Sequence, residues 1–191
     1  MNDKRFPDGS EITRPTDEMM KKEEGSLVRV DRVPMRWGEM DALGHMNNVS
    51  YFRYFEQARI SWFDSLKIDY SPDSEGPILG TITCKFVRPA IYPADLEITT
   101  YVGKAGGSSF MMFHEMVLAG DPATLYAEAG TVMVWIGIGD GKSRPLPDWF
   151  RKQLSPPTSP HLSPALSPLT SPRPSPRVER EEESRCGEGD E

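Results

Sequence analysis

Only one stretch of this 191-residue chain places large apolar side chains at helical spacing, and everything after it alternates like strand. From Val49 to Leu66 there is no Pro or Gly, and Tyr51, Phe55, Ala58, Trp62 and Leu66 recur at steps of three and four, with Phe52 and Phe63 beside that stripe. Downstream the period falls to two: Ile82, Cys84 and Phe86 alternate with Thr81, Thr83 and Lys85. Further strand-like runs cover Leu96–Val102, Ser109–Leu118 and Leu125–Ile138, separated by turn residues at Gly103–Gly107 and Ala119–Pro122. Upstream, Leu27–Trp37 is rich in β-branched residues and predicts one more strand, and the Gly76-Pro77 pair reads as a break. A lone helix with one apolar stripe must bury it against a sheet, and short turns make sequential strands antiparallel neighbours. The expected fold is α+β, an antiparallel five-stranded sheet wrapped around one long helix. Such a sheet keeps open edges, which predicts assembly into a homodimer or homotetramer.

The flanks differ in kind. Ser-Pro dipeptides begin at Ser155, Ser159, Ser163, Ser167, Ser171 and Ser175, and an acidic stretch then runs to Glu191. Proline at that density removes backbone donors, and the few large apolar groups cannot offset the entropy of ordering. The expected organisation is a flexible polar segment at 1–25, a folded domain at 26–154 and a disordered tail at 155–191. That tail is also a candidate for proline-directed phosphorylation, or for docking to a partner of unspecified identity. The net charge of −7 leaves no basic field of the kind that phosphate-backbone binding needs, so no nucleic-acid partner is expected. No apolar run reaches the ~20 residues of a membrane span. Two cysteines, Cys84 and Cys186, suit a reducing compartment, and a cytoplasmic location is expected. No metal site and no separate cofactor are expected.

Chemistry concentrates between Arg36 and Tyr51, in RWGEMDALGHMNNVSY, which leads from a strand end into the helix N-terminus. Asn47 or Asn48 is a natural N-cap. Free backbone N–H groups and the positive end of the helix dipole converge there, so a carbonyl oxygen at that point is polarised and an oxyanion stabilised. Asp41, seven residues before Asn48, supplies a carboxylate across the same pocket. A polarised carbonyl beside a carboxylate suits hydrolysis of an activated acyl group. The plain alternative is that Asp41 only caps its loop. Cys84 and His114 each fall within an alternating strand and read, the first as a small core residue and the second as a partly buried one, rather than as catalysts.

The run DALGHMNNVSYFRYFEQAR, with FVRPAIYPADLEI downstream, resembles the 4-hydroxybenzoyl-CoA thioesterase branch of the hotdog-fold thioesterases. Its DxxGHxNNxxYxxxxExxR form is similar to bacterial acyl-CoA thioester hydrolases and plant acyl-carrier-protein thioesterases. The resemblance spans roughly residues 27–154. It implies that Asp41 acts as nucleophile or general base, and that a backbone N–H at Asn48 holds the thioester carbonyl. Gly44 is then the close turn between them. His45, Asn47 and Tyr51 line or brace the pocket, His45 as hydrogen-bonder or as acid–base group. Glu56 and Arg59 match the family's helix pair and are expected to be structural, as an i,i+3 ion pair worth only a few tenths of a kcal/mol if exposed. Arg88, Lys104 and Ser108 lie near turns where the phosphates and pantetheine of coenzyme A bind in such folds. Active sites of the family lie between subunits.

The function expected from this reading is hydrolysis of an acyl-CoA thioester to free acid and coenzyme A, with coenzyme A entering as part of the substrate. One hotdog repeat favours a coenzyme A thioester over a carrier-protein one. The rival readings are a non-catalytic acyl-CoA-binding scaffold, and another acyl-thioester enzyme such as an acyl-carrier-protein thioesterase or a dehydratase.

Overall fold

The computed structural model describes residues 25–154 and the backbone of Ser167–Pro168. Its elements run β1 (Ser26–Pro34), a single 3-10 turn (Trp37–Glu39), α1 (Asn48–Ser65), β2 (Glu75–Phe86), β3 (Asp95–Ala105), β4 (Ser109–Leu118), β5 (Asp121–Gly137), α2 (Asp148–Leu154) and the two-residue β6 (Ser167–Pro168). The sheet order is β2-β5-β4-β3-β1-β6. The five long strands pair antiparallel throughout, as expected, while β6 adds a short parallel pairing of Ser167 with Asp31 and Pro168 with Arg32. The readings of a flexible segment at 1–25 and a disordered tail at 155–191 otherwise lie outside the described residues.

α1 lies along the inner face of this sheet. Leu96 and Ile98 of β3, Met116 of β4 and Ala127 and Ala129 of β5 are buried with Tyr51, Tyr54, Phe55 and Ala58 of the helix. Farther along, Trp62 and Phe63 pack with Val102, Phe110, Met112, Met133 and Trp135. Stripe and strands therefore match at both ends of the helix. At roughly 25 cal/mol per Å² of apolar surface, each fully buried aromatic contributes about 2–3 kcal/mol.

Two strands begin earlier than their patterns suggested. β2 runs straight through Gly76 and Pro77, because it is a sheet edge bonded only to β5. A proline on an edge strand can turn its donorless nitrogen to the open side. β5 starts at Asp121, so the turn from β4 shrinks to Ala119 and Gly120, with Gly120 at φ 85°. β1 in turn stops at Pro34, short of Trp37. The short helix α2 was not anticipated. It seats Phe150 among Trp62, Phe110, Trp135 and Trp149, with ring centroids 4.7–5.9 Å apart, and closes the far end of the core.

Arg59 departs from the expected ion pair. It sits one turn beyond Phe55 and is buried against the sheet, while Glu56 is exposed. Among the described residues no ion pair joins the two, and Arg59 Nη1 meets no acceptor. Beneath Phe55, His114 stacks on the ring at 5.4 Å and lies 3.1 Å from Thr100 Oγ1 through Nδ1. His114 lies in a strand as read, and is buried completely where only partial burial was expected.

Candidate active site

Between β1 and α1 the chain folds back on itself as a miniature β-ribbon. Met40 bridges Met46 in antiparallel fashion. The Asp41 N–H donates to the His45 carbonyl at 2.8 Å, and the Asn47 N–H donates to the Glu39 carbonyl at 2.8 Å. The tip closes with the Gly44 N–H on the Asp41 carbonyl at 3.0 Å, and Gly44 adopts φ 76°, where a side chain would be strained. Alternation along the ribbon puts Met40 and Met46 on one side, and Met46 is buried in the core. Asp41 and His45 are the opposed pair next to the tip, and Glu39 and Asn47 are the opposed pair at the base.

Each of these has a local reason for its place. One Asp41 carboxylate oxygen, Oδ1, accepts from the Leu43 N–H at 2.8 Å and the His45 N–H at 3.4 Å. This is the loop-capping geometry, and it leaves Oδ2 without a partner among the described residues. Asn47 is the N-cap of α1, its side-chain oxygen accepting from the Val49 N–H at 2.9 Å. The Ser50 N–H donates to the Asn47 carbonyl. Asn48 is the first helical residue, exposed to solvent, and among the described residues its backbone N–H meets no acceptor. A free N–H at the positive end of an 18-residue helix and a carboxylate with one free oxygen therefore flank the ribbon's return.

Tyr51 has a bracing position. It is buried, its hydroxyl accepts from the Ala90 N–H at 3.1 Å, and its ring meets Phe86 edge-on at 5.2 Å. Burial, more than any other influence, raises its hydroxyl above the usual phenol range. The Ala90 carbonyl accepts from Met46, so one residue ties the ribbon to the segment following β2. Arg88 lies in that segment, exposed, with Nη1 donating to Thr124 at 3.2 Å. Lys104 and Ser108 are not brought to Asp41 within one chain. They flank the β3–β4 turn at the other end of the sheet, where the Gly107 carbonyl accepts from Leu146 and Arg151.

Two residues of this site escaped the sequence reading. Glu39 accepts at Oε2 from the Arg36 N–H at 2.8 Å and from the buried Tyr54 hydroxyl at 2.5 Å. Burial and the neighbouring Glu39 carboxylate push the Tyr54 hydroxyl far above its ordinary value, so it stays a donor. A carboxylate three residues after Arg36, in step with Asp41, was the available signal for Glu39; nothing local pointed to Tyr54. Cys84 is half-buried, and burial pushes its thiol up to about 11, which disarms it as a nucleophile. Among the described residues no cluster of His, Cys, Asp and Glu is placed to hold a metal ion, and no helix is long and apolar enough to cross a membrane.

The sequence profile of the thioesterase-like superfamily matches residues 35–154, the ribbon, α1, α2 and β2 to β5 included. The chain is 31% identical over 114 residues to the uncharacterized protein YsmA of Bacillus subtilis, covering 59% of this chain and 76% of that one. Among solved structures, PA2801 of Pseudomonas aeruginosa, a candidate thioesterase, superposes with TM-score 0.64 at 35% identity, over 68% of this chain and 100% of the other. A candidate acyl-CoA thioesterase from Xanthomonas campestris, XC229, superposes with TM-score 0.55 at 29% identity, over 63% and 100%. A hotdog sheet wrapped on one helix, a polar ribbon at that helix's N-terminus and a profile match over most of the chain agree: this protein belongs to the thioesterase-like superfamily and is a thioester hydrolase.

Proposed function

We propose that the protein hydrolyses acyl-CoA thioesters, with Asp41 and the Asn48 N–H as the working pair. The observation that carries this reading is the coincidence, among the described residues, of an unpartnered amide at the start of α1 with an unpartnered oxygen on Asp41, in the ribbon that leads into that helix. The thioester carbonyl oxygen lies at the Asn48 N–H, which draws electron density from the carbonyl carbon. Asp41 either attacks that carbon or takes a proton from the water that attacks it. The tetrahedral oxyanion is held by the same N–H and the helix dipole, then collapses with cleavage of the C–S bond. The coenzyme A thiolate leaves and takes up a proton, and water supplies the oxygen of the released acid. If the carboxylate attacks first, water hydrolyses the resulting anhydride and restores Asp41. His45, opposite Asp41 in the ribbon, is positioned to share the proton traffic.

A dimer through the β2 edge fits this chemistry. β2 bonds to one neighbour only and exposes Ile78, Leu79 and Phe86. Phe86 touches Tyr51 and Phe52 in the first turn of α1, so a second subunit on that edge abuts the site. Arg88 then offers a cation to the phosphates of coenzyme A, and Lys104 and Ser108 could serve only from another subunit.

The test is thiol release from short, long and aromatic acyl-CoAs by the parent and by Asp41→Ala, with binding followed in parallel. Turnover that drops at least about a hundredfold in the variant is the expected result. Acyl-CoA binding without turnover by the parent would favour the scaffold reading, an enoyl product a dehydratase, and equal turnover by both proteins would discard Asp41.

A further inference from the structure

Glu39 occupies the base of the ribbon and holds three separate parts of the chain at once. Its carboxylate accepts from the Arg36 N–H, where the chain leaves β1. Its carbonyl accepts from the Asn47 N–H, where the chain enters α1. The same carboxylate oxygen accepts from Tyr54, whose ring is buried on the inner face of the helix, two turns past the cap. Other ties of the ribbon include the Met40–Met46 bridge, the Asp41–His45 and Gly44–Asp41 hydrogen bonds and the Met46–Ala90 hydrogen bond. Those fix the ribbon to itself and to the β2–β3 connection, while Asn47 holds its returning arm to the first turn of the helix that carries the Asn48 amide. Among the described residues, the Glu39–Tyr54 bond is the side-chain hydrogen bond that joins the arm bearing Asp41 to the body of α1, beside the apolar packing of Met40 and Met46 on the same helix face.

Both partners suit holding rather than reacting. Tyr54 is buried and remains protonated, and Glu39 has its accepting oxygen already engaged by two donors. Asp41 stands two residues beyond Glu39, so a small rotation at the ribbon's base displaces its carboxylate relative to Asn48. A shift of about 1 Å between reacting groups can cost on the order of a hundredfold in rate. We infer that Glu39 and Tyr54 are a positioning pair, which sets the separation of the Asp41 carboxylate from the Asn48 amide without touching substrate. This rests on the roles given above to Asp41 and Asn48.

The test uses the full chain carrying Tyr54→Phe, Glu39→Gln and both together. Tyr54→Phe keeps the ring that fills the core and removes only the donor. The expected result is kcat lowered by about 10- to 100-fold in each single variant with KM changed by less than about twofold, and a double variant no worse than the poorer single. Leu154→Ala, in α2 at the opposite end of the core, serves as the comparison: it lowers the unfolding midpoint and leaves kcat unchanged. A second readout needs no substrate. The Asp41 and Asn47 amides are hydrogen-bonded in the ribbon, and their hydrogen exchange should speed up by about tenfold in Tyr54→Phe. Unchanged kcat in the Tyr54 and Glu39 variants, a loss of kcat in Leu154→Ala as large as theirs, or unchanged exchange would overturn the inference. A parent that releases no thiol from any acyl-CoA refutes the proposed activity instead, and the exchange comparison still decides whether Glu39 and Tyr54 hold the ribbon.

Discussion

Acidification from pH 7.5 to 5 should destabilise the folded protein through His114, by up to about 2 kcal/mol. Its side chain is 1% exposed, its ring is covered by Phe55, and Nδ1 is engaged with Thr100. Burial first, and the Arg59 guanidinium second, hold the imidazole well below its ordinary value of 6.5. Arg29 stands opposite Thr100 in β1 and is paired with the buried Asp31. In the unfolded chain the same imidazole takes up a proton near 6.5. Below that pH the unfolded state binds more protons than the folded one, so this contribution is fully present above 6.5 and is lost as pH falls. The loss approaches ~1.4 kcal/mol per pH unit for one proton, which integrates to about 2 kcal/mol at pH 5. Urea unfolding at several pH values, for the parent and for His114→Gln, measures it. Every other titratable group is common to both proteins, so the difference between the two curves belongs to His114. Parallel curves for parent and variant between pH 5 and 7.5 would refute the reasoning, because they would mean that folded His114 protonates as freely as it does unfolded.

Two other expectations test the packing. Phe150→Ala removes a ring with no exposed surface from between Trp62, Phe110 and Trp135, and should cost about 3–5 kcal/mol by denaturant titration; a loss under about 1 kcal/mol would mean that α2 does not close the core. In a Cys186→Ser background, Cys84 should react with a thiol reagent at pH 8 at least about a hundredfold more slowly in the native protein than in urea. Its thiol is raised to about 11 and half-buried, and comparable rates would contradict that placement.

Much of the site was legible before any coordinates because it is local. The ribbon from Glu39 to Asn47 closes within nine residues, Gly44 marks its turn and Asn47 caps the next helix, so the turn and the cap were readable locally, while the pairing of Asp41 with Asn48 rests on the family resemblance. The helix was equally plain, since its stripe persists over five turns, and the strands after it followed from their alternation. Composition and order of elements therefore determined the fold class.

Contacts that cross the fold were decided otherwise. Arg59 follows the polar pattern of an exposed helix position, yet the sheet covers it, because the face that buries Phe55 also turns Arg59 inward. Pro77 reads as a break until β2 proves to be an edge, where a missing donor costs nothing. Tyr54 looks like one more core aromatic until the chain leaving β1 sets Glu39 against its hydroxyl. Lys104 and Ser108 resemble ligands near a turn, but β3 carries them to the end of the sheet opposite Asp41. Periodicity reports which face of an element is apolar. What meets that face, and which polar groups are trapped there, depends on residues far away in the chain, and only the packed structure brings them together.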